Sequence, residues 1–152
     1  MQRKFFQQQE SRQRYLLYKE NQKNVTPIRF TAYERLVLFL ERITPDSLLV
    51  RTQSDSYTAI QLHAALLTVI RAEYEHNVAQ QIYVSAEAWE VVKNAKESIV
   101  QLINACAAQV DPQGPSVDLA KAILATYENS TSAPTMVAIS FLKTELKTYF
   151  SA

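Results

Sequence analysis

The sequence predicts an all-α, single-domain bundle of five or six helices. Three observations carry this. Glycine occurs once in 152 residues, at Gly114, where average usage near 7% would give roughly ten. Glycine enters φ > 0 without penalty, and tight hairpins, bulges and backbone-close ligand loops rely on it. Its scarcity therefore removes most all-β designs. Apolar residues also recur at spacings of three, four and seven, the period of a helix face. Short breaks rich in Pro, Ser, Thr and Asp separate these stretches and carry helix-start signals. A chain of this length, 47% hydrophobic and 20% charged, suits one domain with a sizeable core.

Residues 3–22 read as a polar helix in which Phe5, Phe6, Tyr15, Leu16, Leu17 and Tyr18 interrupt a Gln/Arg/Lys background. The Gln-rich composition leaves disorder as an alternative. Glu10 and Arg14 stand in the favourable i,i+4 order. Asn24-Val-Thr-Pro27 reads as a break, with Thr26 able to cap and Pro27 at the first position of a new helix. The expected organisation is thus a connector helix over 1–24 and a helical domain over 25–152.

Residues 28–43 carry Ile28, Phe30, Tyr33, Leu36, Val37, Leu38, Phe39, Leu40 and Ile43, apolar on most sides, which predicts a central helix. Thr44-Pro-Asp-Ser47 ends it. Residues 47–57 are open between a short strand and a helical turn, because periodicity cannot decide over so few positions. Thr58 and Gln61 have capping-box spacing. A long helix is expected from there to about Ile82, with Ile60, Leu62, Leu66, Leu67, Val69, Ile70, Tyr74, Val78 and Ile82 in the core.

Ser85 is a candidate cap for a helix over about 86–109, whose stripe is Trp89, Val92, Ile99, Ile103, Cys106 and Val110. After the loop 111–115, Ser116 is expected to cap a helix over 117–128, with Ala120, Ile123, Leu124 and Tyr127 inward. Pro134 opens a last helix to about Phe150, with Ala138, Phe141, Leu142, Leu146 and Tyr149 inward.

The net charge of +1 hides an asymmetry. Residues 1–30 hold Arg3, Lys4, Arg12, Arg14, Lys19, Lys23 and Arg29 against Glu10 and Glu20, a net of +5, while the other 122 residues sum to −4. A basic arm on a mildly acidic body points to an anionic membrane surface, nucleic acid or an acidic protein face, against the alternative of a solvated helix face. The longest apolar run, Leu36–Leu40, is far too short to span a bilayer, and the N-terminus has no signal-peptide pattern. The lone Cys106 forbids an intrachain disulfide, which fits a reducing, cytoplasmic compartment.

Little chemistry is on offer. A nucleophile elbow, P-loop or Rossmann loop needs two or more glycines. Cys106 lies late in an apolar helix and reads as a buried hydrophobe. Glu73 and His76 share one helix face and form one quarter of a di-iron carboxylate site, but no second Glu-x-x-His exists. His63 lies 13 residues from His76, roughly 220° around the helix. Glu34, Arg35, Glu41 and Arg42 form a charged strip that can pair with Arg71, Glu73, Glu75 and His76 across a helix pair. Such networks usually set register.

Three segments carry a resemblance: 30–45 (Phe30-Thr-Ala-Tyr-Glu-Arg-Leu-Val-Leu-Phe-Leu-Glu-Arg-Ile-Thr-Pro45), 73–85 (Glu73-Tyr-Glu-His-Asn-Val-Ala-Gln-Gln-Ile-Tyr-Val-Ser85) and 88–96 (Ala88-Trp-Glu-Val-Val-Lys-Asn-Ala-Lys96). Together they resemble a family of small uncharacterised proteins of Bacteroidetes. The resemblance runs from about residue 25 to the C-terminus. It brings no activity, substrate or catalytic residue. Members often place a transmembrane helix and a charged connector before the helical domain, so it implies membrane proximity, with this chain either soluble or anchored from upstream of Met1.

The expected function is therefore non-enzymatic: an interaction or scaffold domain near the cytoplasmic face of a membrane, without cofactor or catalytic residues. Arg3, Lys4, Phe5, Phe6, Arg12, Arg14, Lys19 and Lys23 are the expected membrane or partner contacts. The partner is a protein, a second copy through the N-terminal helix, or an anionic membrane. One alternative is a ligand- or metal-binding protein centred on Glu73 and His76. Another is nucleic-acid binding by the arm, which the acidic body and missing motifs disfavour.

Overall fold

The computed structural model describes residues 2–131 and 133–150. Among these residues six α-helices follow one another: α1 (Gln2–Ile43), α2 (Pro45–Thr52), α3 (Ala59–Asn77), α4 (Ala86–Ala107), α5 (Ser116–Glu128) and α6 (Pro134–Phe150), with a 3₁₀ segment, Val78–Tyr83, between α3 and α4. No strand occurs among the described residues; one isolated bridge joins Thr58 and Pro115. The all-α single-domain expectation holds, and residues 47–57 resolve to α2 and the turn after it.

The expected break at Asn24–Pro27 is absent. One helix runs from Gln2 to Ile43 with Pro27 inside it. Proline there removes the N–H that would bond the Lys23 carbonyl and crowds that carbonyl, at about 3 kcal/mol or more. Two things offset it. Residues 25–29 are exposed, so water can take the freed carbonyl. The turns from Tyr33 onward are fixed by packing, and helix propagates from a formed end more easily than it nucleates. Thr31 Oγ1 donates to the Pro27 carbonyl at 3.0 Å.

The last turns of α1 are the centre of the bundle. Tyr33, Leu36, Phe39, Leu40 and Ile43 are buried, and meet Leu62, Leu66 and Ile70 of α3, Val92, Ile99 and Ile103 of α4, Leu119 and Ile123 of α5, and Leu142 of α6 in one core. Among the residues expected to face inward, Ile28, Leu38, Ile60 and Ile82 are exposed instead. Ile28 precedes the packed turns. Leu38 lies two residues from both Leu36 and Leu40, hence on the opposite side of the helix. Ile82 is carried outward because α3 ends at Asn77 and the tighter 3₁₀ segment takes over, where a longer α-helix was expected. Tyr149 is also exposed.

The caps explain the chain reversals. Thr58 and Gln61 form the capping box, and Ser85 accepts from the Ala88 amide at 2.9 Å. The amides of Ala59 and Ile60 donate to the carbonyls of Gly114 and Pro112, each at 2.9 Å. The α4–α5 loop thus satisfies the free donors of the first turn of α3. Ser116 is not a cap but the first residue of α5. Its buried hydroxyl donates to the Ser54 carbonyl at 2.8 Å. Gly114 has no positive φ; a Cβ there would stand 3.2 Å from the Asp111 carbonyl, so closeness rather than handedness favours glycine.

Helices α1 and α6 run antiparallel in a fixed register. Arg29 lies over the Tyr149 ring at 5.6 Å, Tyr33 bonds Glu145, and Thr44 Oγ1 meets Thr135 Oγ1 at 2.9 Å. Thr44 Oγ1 is also 2.8 Å from the Leu40 carbonyl, and Tyr127 Oη is 2.7 Å from Thr135 Oγ1. The Leu40 oxygen can only accept, so one consistent arrangement runs Tyr127 to Thr135 to Thr44 to Leu40. This buried chain joins α5, α6 and α1 with every hydroxyl satisfied.

Candidate functional site

The first candidate is the arm itself. Residues 4–29, leaving aside 21, 22 and 24, are exposed, and at 1.5 Å per residue the arm is about 40 Å long. Lys4, Arg12, Arg14, Lys19 and Lys23 lie along it, while the side chain of Arg3 lies outside the described residues. Phe5 and Phe6 are 61% and 65% exposed, and Tyr15, Leu16, Leu17 and Tyr18 all exceed half exposure. These four are consecutive, and at 100° per residue they encircle the axis. The arm therefore has an apolar girdle rather than an apolar face. Lys19 Nζ sits 5.0 Å from the Tyr15 ring, a surface cation–π contact.

A node of side chains fixes the root of the arm. Glu145 Oε1 accepts from Tyr33 Oη and, at 2.6 Å, from Ser85 Oγ. One carboxylate oxygen thereby joins α1, the start of α4 and α6. Burial first, and then the bonds to Glu145 and Tyr149, push the Tyr33 phenol well above its ordinary pKa. Tyr149 stands edge-on to Tyr33 at 6.1 Å.

The charged strip gives one cross-helix pair. Arg42 Nε and Nη2 stand 2.7 and 2.6 Å from Glu73 Oε1. The bond and charge of Glu73 raise the Arg42 pKa. Arg51 Nη2 donates to the Arg42 carbonyl at 2.9 Å, and burial, with the nearby Arg42 charge, lowers its pKa. Asn77 Nδ2 donates to the Glu73 carbonyl at 2.8 Å, at the end of α3. Glu73 is therefore engaged in helix pairing, and His76 is exposed. Among the described residues no group of three or more His, Cys, Asp or Glu is placed to hold a metal. His63 is held elsewhere, its Nε2 2.7 Å from Asn104 Oδ1 on α4. Cys106 is buried and bonds Thr126 at 3.4 Å.

The surface carries shallow grooves. One of about 350 Å³ lies between α3 and α4, lined by Leu67, Ile70, Arg71, Tyr74, Lys96, Glu97, Val100 and Asn104. Its Lys96 Nζ rests 4.0 Å from the Tyr74 ring, which stacks on Trp89 at 5.7 Å. A second, of about 300 Å³, lies between α1 and α6 and is almost wholly apolar at its floor. This groove is not legible along the chain because Leu142, Lys143 and Leu146 of α6 supply its second wall. Among the described residues no helix is long and apolar enough to cross a membrane.

A family model described as a family of unknown function (DUF7935) matches residues 1–149. No curated protein and no solved structure matches the chain.

Proposed function

We propose, from the premise that the chain belongs to the DUF7935 family of unknown function, that it is a non-enzymatic interaction domain held near the cytoplasmic face of a membrane. The single observation that carries this reading is the arm: a helix about 40 Å long, basic, and exposed at its described side chains, on a bundle of opposite net charge. An anionic leaflet attracts basic residues at about 1 kcal/mol each when they lie near its surface. Phe5 and Phe6, at the end of the arm remote from the bundle, suit the headgroup level, where aromatic rings are favoured. A helix lying in the membrane plane needs one apolar face. The girdle at Tyr15–Tyr18 instead suits an arm that rises steeply and holds the bundle off the surface. The arm's own cations, or an anchor preceding it, then supply attachment.

The test is vesicle flotation of the full chain and of a chain lacking residues 2–24, with neutral vesicles and with vesicles rich in anionic lipid. Anionic vesicles should recover the full chain, less so as salt rises, and should not recover the shortened chain. Equal recovery of both chains, or none of the full-length native gene product on anionic vesicles, overturns the reading.

A further inference from the structure

We propose that the α1–α6 groove is a self-association face, whose occupant is the same groove of a second copy. The groove's floor is apolar, with buried Leu142 and half-buried Leu146. Leu38 also lines the groove and is 58% exposed. Its two rims differ in charge. Glu34 and Glu41 line the α1 side and Lys143 lines the α6 side. All three are exposed, and none forms an ion pair among the described residues.

That arrangement is self-complementary. Arg29 with Tyr149, Tyr33 with Glu145 and Thr44 with Thr135 fix the antiparallel register. By that register Lys143 lies level with Arg35, between Glu34 and Glu41. A two-fold axis parallel to α1 preserves height along the helix. It sets α1 of each copy beside α6 of the other. Lys143 of one copy then comes within two residues' rise, about 3 Å, of Glu34 in the other. The contact occurs twice, as an isologous interface requires. Leu38 of each copy is covered by the apolar floor between the rims. All four neighbouring helix pairs are antiparallel, the usual layout of a four-helix bundle. Both arms leave the dimer on the same side, so the inference is compatible with attachment of both copies to one surface. It does not depend on that attachment. A flipped axis, perpendicular to α1, would set the arms on opposite sides.

The experiment is sedimentation equilibrium of the full chain without lipid, from about 1 µM to about 500 µM. The wild type should move from the 17.3 kDa chain mass towards twice that value. Glu34→Lys and Lys143→Glu should each weaken association about tenfold or more, and the double swap should recover most of the loss. Circular dichroism confirms that each variant keeps its helix content. Mixing a Glu34→Cys chain with a Lys143→Cys chain should give an oxidised dimer that neither gives alone, since Cys106 is buried. Monomer throughout the range, association indifferent to both reversals, a swap no better than its parts, or no mixed crosslink overturns the proposal. The last outcome leaves the groove to a different protein or to none. Flotation on vesicles reads the membrane proposal separately.

Discussion

Replacing Tyr33 by Phe removes one hydroxyl from the node at the root of the arm and leaves the ring. Tyr33 is 1% exposed, so its aromatic packing in the core is retained. The lost contact is a hydrogen bond to a carboxylate oxygen that also accepts from Ser85. Bonds to charged groups contribute about 1.5–3 kcal/mol. The variant should lose about 2 kcal/mol at pH 7, or roughly 6 °C in Tm for a chain of this size. The pH dependence is the sharper reading. The folded state raises the Tyr33 pKa above its unfolded value near 10. The folded state therefore favours the protonated phenol. Its contribution is fully present below about pH 10 and is lost as pH rises towards the folded pKa. The difference between wild type and Tyr33→Phe should hold steady from pH 7 to 9 and shrink by about 1 kcal/mol between pH 10 and 11. Other tyrosines titrate in both proteins and cancel. Guanidinium unfolding followed by circular dichroism, at each pH, measures the difference. Equal stability at pH 7, or a gap constant through pH 11, would refute the reasoning.

Three further outcomes follow from the geometry. Pro27→Ala should restore a helix bond in the exposed arm, raising amide protection around residues 23–27 by local exchange while leaving the global unfolding midpoint unchanged, because residues 25–29 are exposed. Thr58→Ala should destabilise the fold by about 1 kcal/mol through loss of the capping box, read as a lower denaturation midpoint with an unaltered slope. Leu66→Ala, at a fully buried position of α3, should cost about 2–5 kcal/mol and lower the melting temperature far more than the same change at exposed Leu38.

Much of the fold is legible along the chain because its determinants are local. The glycine scarcity, the helical spacing of apolar residues, and the caps at Thr58 and Ser85 each act within a turn or two. The arm's charge is legible too, since it is carried by a contiguous segment. What escaped has a different origin. Thr26 and Pro27 carry a genuine helix-start signal, yet packing of Tyr33 through Ile43 fixes a helix that propagates back through them. Leu38 looks like core in a segment apolar on most sides; which side is covered depends on where α6 and α3 come to lie. Of the candidate site, the basic and aromatic residues of the arm could be listed from sequence, while their girdle and lack of cover needed the fold.

The sequence by itself determined that this protein is helical, that it lacks the glycine-rich loops of a P-loop, Rossmann turn or nucleophile elbow, and that its charge is divided between arm and body. These follow from residue type and spacing over short stretches. Only the tertiary structure decided that Glu73 pairs with Arg42, that Tyr33 and Ser85, 112 and 60 residues from Glu145, share its carboxylate, and that a groove with oppositely charged rims opens between α1 and α6. The reason is physical: such contacts join residues whose approach is set by the packing of whole helices, and no local propensity encodes that distance.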